Sequence, residues 1–189
     1  MGVFIYLIGF PGVGKLTVAK ELSQIIPNSK VFDNHLIIDP ASAIVERNMP
    51  EYVPLRISLR KLCLDAIANS QSTKHISWIF TDSQTSDGKG AGNPRDYQEA
   101  AISQGAEFIS VVLNCDLEEN IRRVGSRNRI ETRGKLTDEA ILESIYKGEP
   151  IFRFGKDANE IEIDVSHLAA KDVAELIASH VRIVASKST

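Results

Sequence analysis

The sequence predicts an α/β fold in which a five-stranded parallel sheet is covered by helices on both faces. Segments rich in β-branched and aromatic residues alternate with segments of helical periodicity along the chain, the pattern of strands joined by crossover helices. The first such segment, Val3–Ile8, is continuously apolar, as expected of a strand buried on both faces. A chain of 189 residues with 43% hydrophobic and 25% charged residues suits one domain over residues 1–189.

The individual elements follow from periodicity and from the residues that end each segment. In the first helix, Val18, Leu22 and Ile25 recur at helical spacing, and Pro27 ends the segment. Strands are expected over 3–8, 30–32, 75–81, 108–113 and 161–165. Helices are expected over 14–26, 40–47, 52–69, 94–104, 116–126, 137–147 and 173–184.

Local signals set several of these boundaries. Asp39 before Pro40 indicates the start of the second helix, since an aspartate caps well and proline suits the first helical position. Asp116 and Glu119 form a capping-box pattern at the start of the fifth helix. The segment 82–93 is rich in glycine and serine and lacks periodic apolar residues, so we expect a mobile and functional loop there.

Composition and charge narrow the possible partners. The net charge of −3 disfavours a general nucleic-acid binder, which normally shows a basic footprint. The longest apolar stretch has six residues, too few to cross a bilayer. Two cysteines are too few for a disulfide framework or a zinc site. We therefore expect a cytoplasmic protein, monomeric or homodimeric, that binds neither nucleic acid nor membranes.

The most informative segment runs from residue 9 to residue 17 and reads Gly-Phe-Pro-Gly-Val-Gly-Lys-Leu-Thr. It lies between the first strand and the first helix and satisfies the pattern Gly-x-x-x-x-Gly-Lys. Glycines let the backbone curl with its N–H groups inward, the helix N-terminus adds positive potential, and the lysine can reach the outer phosphates of a nucleoside triphosphate. We therefore predict a phosphate-binding loop (P-loop). Its candidate nucleotide-binding residues are Gly9, Pro11, Gly12, Val13, Gly14, Lys15, Leu16 and Thr17, and Lys15 is also a candidate catalytic residue.

This P-loop resembles that of the nucleoside monophosphate kinases, adenylate kinases above all, which reads Gly-x-Pro-Gly-x-Gly-Lys-Gly-Thr. The matching residues are Pro11, Gly12, Gly14, Lys15 and Thr17. The resemblance implies a three-layer P-loop NTPase fold with strand order 2-3-1-4-5 and a short lid over about 127–137. It also implies ATP and Mg²⁺ as cofactors.

One departure from the usual P-loop pattern concerns the metal. Leu16 follows the lysine where a Ser or Thr normally supplies a hydroxyl to Mg²⁺, and Thr17 comes one place later. By the resemblance, Thr17 contacts a phosphate, and the metal is held mostly through water and acidic residues elsewhere. Asp82 closes an apolar strand in the manner of a Walker B acid. We expect Thr17 and Asp82 to serve the metal site; the alternative for Asp82 is a loop-capping role.

The second strand ends at a candidate catalytic carboxylate, Asp33. Ligands of open α/β sheets bind at the carboxyl ends of the strands. The sequence is similar here to small-molecule kinases of the shikimate kinase, gluconate kinase and antibiotic phosphotransferase type, in which an Asp faces the acceptor hydroxyl. That resemblance implies a base or an orienting group at Asp33, with a turn-forming Asp as the alternative. His35 could contact the same substrate or be a surface histidine without a role.

Basic residues further along the chain are candidates for contacts with phosphate. Asn93-Pro94-Arg95 resembles a monophosphate kinase stretch in which the arginine binds an acceptor phosphate, which implies substrate binding by Arg95. The segment from Asn120 to Lys135 is basic in a chain of negative net charge: it contains Arg122, Arg123, Arg127, Arg129, Arg133 and Lys135. In the resembled family this region leads into a lid that closes over ATP, which implies catalytic roles for Arg127 and Arg133 and nucleotide binding by Arg127. The alternative, a solvated helix face, is open for Arg122 and Arg123 and does not explain the segment from Arg127 to Lys135.

Two functions of different classes are compatible with these features. The leading one is a phosphotransferase that moves the γ-phosphoryl group of ATP to a small-molecule acceptor, either a nucleoside monophosphate, a shikimate-like or sugar-like metabolite, or an antibiotic hydroxyl. The alternative is a nucleotide-binding regulatory or switch protein with little turnover, in which the 83–92 loop engages a partner. The sequence has no Asn-Lys-x-Asp stretch for guanine, which disfavours a GTPase.

Overall fold

The computed structural model describes residues 2–88, 93–125 and 139–187. The strands are β1 (Val3–Ile8), β2 (Ser29–Asp33), β3 (Ser77–Asp82), β4 (Glu107–Asn114) and β5 (Ile161–Asp164). The helices are α1 (Lys15–Ile25), α2 (His35–Ile44), α3 (Tyr52–Asn69), α4 (Arg95–Gln104), α5 (Leu117–Val124), α6 (Glu139–Lys147) and α7 (Ala170–Lys187). Short 3₁₀ turns occupy Gln71–Thr73 and Lys156–Ala158.

The five strands form one parallel sheet in the order β2-β3-β1-β4-β5, which confirms the predicted order. The central strand, β1, pairs with β3 from Phe4 opposite Trp78 to Ile8 opposite Asp82. It pairs on its other side with β4. The end of β1 therefore lies between the ends of β3 and β4, where the loop over 9–14 begins. No helix in the described part of the chain is long and apolar enough to cross a membrane.

Two separate cores explain why β1 is apolar without alternation. Ile5 and Leu7 pack with residues of α1 and α7 on one face of the sheet. Phe4, Tyr6 and Ile8 pack with residues of α3 and α4 on the other. Each successive side chain of β1 thus enters a different hydrophobic core, as expected for a parallel strand covered on both faces. This is the predicted three-layer α/β arrangement.

The predicted start of the second helix is wrong by five residues. Helix α2 begins at His35, directly after β2, and Pro40 lies inside it. The carbonyl of Asn34 accepts hydrogen bonds from the amides of Ile37 and Ile38, which starts the helix at the end of the strand. Pro40 lacks an N–H group, so near the helix start it costs a single backbone hydrogen bond. Asp39 does not cap the helix and instead pairs with the ring of His35.

The capping box predicted for α5 is also wrong. Asp116 makes no side-chain capping bond, and its backbone N–H donates to the Ser166 hydroxyl at 2.8 Å. The Glu119 carboxylate accepts bonds at 2.7 Å from the guanidinium groups of Arg122 and Arg123. The carboxylate binds these guanidinium groups and not the backbone N–H of Asp116, because hydrogen bonds between charged groups are stronger than those from a neutral amide.

The predicted mobile loop is anchored over its described part, residues 83–88. The carbonyl of Gln84 accepts a hydrogen bond from the amide of Phe152, and the amide of Ser86 donates to the carbonyl of Pro150. Thr85 forms an antiparallel bridge with Ile151 between them. The first half of this segment therefore pairs with the connection between α6 and β5.

We predict that Gly9→Ala lowers the free energy of unfolding by about 2 kcal/mol, the usual cost of an overpacked site. A Cβ at position 9 would lie 2.5 Å from the Leu113 carbonyl oxygen on β4, and backbone atoms there have little room to move. Gly125→Ala is the matched control, because its Cβ would have no neighbour nearer than 3.6 Å. Gly125 has a helical φ of −75°, so alanine there should hold or raise stability by up to about 1 kcal/mol. Urea unfolding of both variants checks this, and equal stabilities would contradict the close approach of Gly9 to β4.

Candidate functional site

The loop between β1 and α1 has the backbone geometry of a phosphate cradle. Gly12 and Gly14 have φ angles of +101° and +97°, which residues that carry a Cβ rarely adopt. Gly14 directly precedes α1, and its carbonyl accepts a hydrogen bond from the amide of Val18. The glycines therefore turn the chain from the sheet into the N-terminus of α1, where unpaired amides and the helix dipole favour an anion.

Lys15 lies across this loop. Its ammonium group donates to the carbonyl oxygens of Gly9 at 2.7 Å and Phe10 at 2.9 Å. The positive charge is thus placed beside the loop amides by contacts within the loop itself. Leu16 is half-buried and Thr17 is exposed, both in the first turn of α1. A phosphate at the helix N-terminus would therefore meet Lys15 and the first turn together.

The outer side of the loop is held by residues of α5 and α6. The amide nitrogen of Asn120 donates to the carbonyl of Pro11 at 2.9 Å and to the Tyr146 hydroxyl at 2.8 Å. The guanidinium of Arg123 donates to the carbonyls of Val13 at 3.3 Å and of Val165 at 2.7 Å. Sequence reasoning placed Arg123 in the basic segment that leads into the lid, with a solvated helix face as the alternative, and it gave Asn120 no role. The contacts of Arg123 with the loop carbonyl of Val13 were not predicted.

Asp33 lies at the end of β2, beside β3, as the sequence predicts. It is directly opposite Thr81 in the sheet register, and the Thr81 hydroxyl donates to Asp33 Oδ1. The same hydroxyl oxygen accepts from the backbone amide of Asn34 at 3.3 Å. These two bonds fix one oxygen of the Asp33 carboxylate, and Oδ2 has no hydrogen-bond partner among the described residues.

Asp82 is a buried carboxylic side chain at the end of β3, with only 1% of its surface exposed. Its Oδ1 accepts hydrogen bonds from the side-chain amide of Asn34 at 2.8 Å, from the backbone N–H of Ser83 at 2.7 Å and from the side-chain amide of Gln84 at 3.1 Å. Its Oδ2 accepts from the Tyr6 hydroxyl at 3.0 Å. Burial raises the pKa of Tyr6 well above its ordinary value, and Asp82 raises it further, so this hydroxyl remains a donor. Asp82 thereby joins β1, β2 and β3 at the edge of the sheet next to the P-loop.

These carboxylates fit a hydrated magnesium ion. Mg²⁺ keeps several waters and is usually bound through one or two carboxylates together with substrate phosphates. Asp82 is surrounded by neutral donors, and each of Asp33 and Asp82 has an oxygen with at most one hydrogen bond from the described residues. The described residues contain no group of three or more His, Cys, Asp and Glu that could hold a metal alone. Phosphate and water oxygens would thus complete the coordination.

The other predicted acceptor residues, His35 and Arg95, lie apart from this network. The His35 ring is 3.1 Å from Asp39 Oδ1, and its side chain is 27% exposed. The Arg95 guanidinium lies over the rings of Phe152 and Phe154 at the start of α4. In the described part of the chain, neither side chain makes a hydrogen bond with Asp33 or Asp82.

Sequence reasoning missed a buried arginine near these strand ends. Arg60 on α3 is 1% exposed, and its Nε lies 3.6 Å from Asp96 Oδ2 on α4. Burial raises the pKa of the Tyr97 hydroxyl, Asp82 raises it further, and Arg60 opposes them. Arg60, Tyr97 and Asp82 thus share one electrostatic environment. No sequence signal distinguishes Arg60 from the exposed arginines of a helix.

Arg127 and Arg133, with the predicted lid over 127–137, lie outside the described residues. Their assignment remains a prediction from the sequence.

We predict that Tyr6→Phe lowers the free energy of unfolding by about 2 kcal/mol, because it removes a buried hydrogen bond to a carboxylate. Tyr52→Phe is the matched control. The Tyr52 hydroxyl is 3.2 Å from the Ser42 hydroxyl, a bond between neutral groups, whose loss should cost about 1 kcal/mol or less. Chemical unfolding of both variants makes the comparison. A larger loss in Tyr52→Phe would contradict the central place of the Tyr6–Asp82 bond.

Comparison with known proteins establishes the fold. No protein-family model matches the sequence, and no curated protein matches it. Solved structures do match over nearly the whole chain. A tunicamycin resistance protein of Deinococcus radiodurans is 19% identical with a TM-score of 0.59, covering 96% of each chain.

Two further similar structures are those of kinases. A sugar kinase of Janibacter is 15% identical with a TM-score of 0.65, covering 97% of this chain and 96% of its own. A shikimate kinase of Acinetobacter baumannii, solved with shikimate, is 20% identical with a TM-score of 0.59, covering 99% and 95%. The predicted resemblance is confirmed at the level of the fold: the chain has the three-layer P-loop fold found in small kinases.

Proposed function

We propose that this protein is an ATP-dependent phosphotransferase that moves the γ-phosphoryl group of ATP to a small-molecule acceptor. The observation that carries the proposal is the placement of two carboxylates, Asp33 and Asp82, on the strand ends beside a glycine-rich loop that contains Lys15. Phosphoryl transfer depends mainly on positioning and charge stabilisation, so a cradle for the donor with an anion on the acceptor side is a suitable arrangement.

On the donor side, the loop amides and the N-terminus of α1 bind the phosphates of ATP, and Lys15 neutralises charge on the β- and γ-phosphates. Thr17 contacts a phosphate from the first turn of α1. Asp82 would hold Mg²⁺ through water, and the ion would supply charge neutralisation to the phosphates. Arg127 and Arg133 are proposed to complete the charge neutralisation, on the strength of the basic segment in the sequence.

On the acceptor side, Asp33 faces the attacking hydroxyl. The bond from Thr81 fixes the carboxylate through Oδ1, so Oδ2 is available to the acceptor. An oxygen in this position can orient the hydroxyl and accept its proton as the phosphoryl group is transferred. His35, at the start of the helix that follows, is proposed as a further acceptor contact, and Arg95 as a contact for an anionic acceptor group.

Several classes of acceptor are compatible with the sequence and the fold. The similar structures include a sugar kinase, a shikimate kinase and a protein of tunicamycin resistance. The monophosphate kinase pattern of the loop adds nucleoside monophosphates. These similarities support a small hydroxylated or phosphorylated acceptor.

A metabolite screen with ATP and Mg²⁺ tests this function directly. Nucleoside monophosphates, sugars, hydroxy acids and antibiotic alcohols are incubated with the protein, and phosphorylated products are detected by mass spectrometry. A phosphorylated product with matching ADP release supports the enzyme. Tight ATP binding without acceptor-stimulated turnover in the whole panel would instead favour a nucleotide-dependent switch.

We predict that Lys15→Ala weakens ATP binding about tenfold or more and lowers turnover about 100-fold or more, because one charged donor to the phosphates is lost. Lys20→Ala is the matched control, since Lys20 is exposed on the same helix. Calorimetric titration with ATP and steady-state kinetics measure the two effects. Undiminished turnover in Lys15→Ala would disprove the cradle assignment.

We predict that Asp33→Asn leaves the affinity for ATP within about twofold but lowers turnover about 100-fold, within the range of general acid–base effects. The asparagine carbonyl can still accept the bond from Thr81, so the fold should be retained. Asp65→Asn, an exposed change on α3, controls for the loss of one negative charge. Normal turnover in a folded Asp33→Asn variant would show that Asp33 has a structural role alone.

A further inference from the structure

The carbonyl groups of the P-loop determine which way its amides point. A peptide unit is planar and trans, so its C=O and the following N–H point in opposite directions. The carbonyl of Pro11 is bonded to Asn120 and that of Val13 to Arg123. The amides of Gly12 and Gly14 must therefore point away from α5, toward the opposite side of the loop. Side chains behind the loop thus control the groups that a phosphate would meet.

Asn120 can make this bond in one orientation alone. Its side chain is fully buried, at 0% exposure. Both protons of Nδ2 are used, one by the Pro11 carbonyl and one by the Tyr146 hydroxyl. The Tyr146 hydroxyl donates its one hydrogen bond to the carbonyl of Cys115 at 2.9 Å, so toward Asn120 it can act only as an acceptor. A flipped amide would place Oδ1 against the Pro11 carbonyl, two acceptors without a proton between them.

The position of the Asn120 Oδ1 atom explains why residue 12 is a glycine. Asn120 Oδ1 is buried and has no hydrogen-bond partner in the described part of the chain. A Cβ built on Gly12 would lie 2.0 Å from this oxygen and 2.7 Å from Val124 Cγ2. Asn120 thus occupies the space that a side chain at position 12 would need. The loop backbone and this amide are fitted to each other.

We infer that Asn120 is a positioning residue for the donor phosphates: it holds the Pro11 carbonyl outward and so presents the Gly12 amide to ATP. The inference rests on the proposed function, because it takes the bound phosphate to be that of ATP. Tyr146 supports the same amide from α6, and its ring packs on Phe10 with the centroids 4.7 Å apart. Asn120 itself does not touch the nucleotide in this arrangement and acts through the backbone.

The experiment compares Asn120→Leu with Gln104→Met. Gln104 on α4 is a matched residue: it is 5% exposed, its Nε2 donates to the Ile67 carbonyl at 2.8 Å, and its Oε1 has no partner in the described residues. Each substitution replaces one buried amide with an apolar side chain of similar shape. Both variants should lose comparable thermal stability. The affinity for Mg²⁺–ATP should fall about tenfold in Asn120→Leu alone, the value of one hydrogen bond to a charged phosphate.

If Asn120→Leu does not fold, a second variant and a second measurement test the same inference. Asn120→Ala shortens the side chain without placing a methyl group against the Pro11 carbonyl. In ¹⁵N–¹H spectra, the Gly12 amide of the unsubstituted protein and of Gln104→Met should shift on addition of ATP. In Asn120→Ala that shift should be smaller, since the amide is no longer held toward the phosphate.

The outcomes separate the two hypotheses. Equal ATP affinities in the Asn120 and Gln104 variants, with equal Gly12 shifts, would overturn the positioning role and leave the proposed kinase function standing. Absence of ATP binding by the unsubstituted protein would overturn the proposed function and this inference with it. Weaker binding confined to the Asn120 variants supports the inference.

Discussion

A loop that offers backbone amides to a phosphate must find other donors for its carbonyl groups. This constraint follows from the planar peptide, and much of the structure around the P-loop serves it. Lys15 bonds the carbonyls of Gly9 and Phe10, and the residue after Phe10 is a proline, so that peptide has no N–H to present. Helix α5 supplies donors for the next carbonyls of the loop. The side chains around the loop thereby fix its conformation, and glycine supplies the φ angles that this conformation needs.

The charges at the strand ends are arranged to leave negative charge beside the loop. Asp82 is buried among neutral donors, the Tyr6 hydroxyl, the Asn34 amide and Gln84. These bonds offset the cost of burying the carboxylate without neutralising it. The charge of Arg60 is paired with a different carboxylate, that of Asp96. A carboxylate next to a phosphate-binding loop can share a cation with the bound phosphate, and this is the electrostatic reason for proposing Mg²⁺ here.

The sequence predicted the sheet and the P-loop well, since both depend on patterns within a short segment. A continuous apolar run located β1, and glycine spacing located the loop. Two predictions from local signals were wrong because other contacts are made instead. Helix α2 begins after Asn34, whose carbonyl accepts the first helical hydrogen bonds, and not at Asp39 and Pro40. The Glu119 carboxylate binds Arg122 and Arg123 and does not cap α5. Asn120 could not be found at all. Its role depends on a contact across 109 positions of the chain, and a lone asparagine in a helix carries no sign of it.

The same distinction explains why the donor side of the site is better determined than the acceptor side. In the proposed function, donor phosphates would be met largely by backbone amides, and the conformation of that backbone depends on Gly12 and Gly14, which the sequence pattern identifies. The acceptor would be met by side chains from β2, α2 and α4, such as Asp33, His35 and Arg95. These elements keep their places in the fold while the side chains on them are free to differ between proteins. If the proposed function holds, the loop would therefore determine the phosphate donor, and the identity of the acceptor would depend on a few side chains at the ends of β2 and β3.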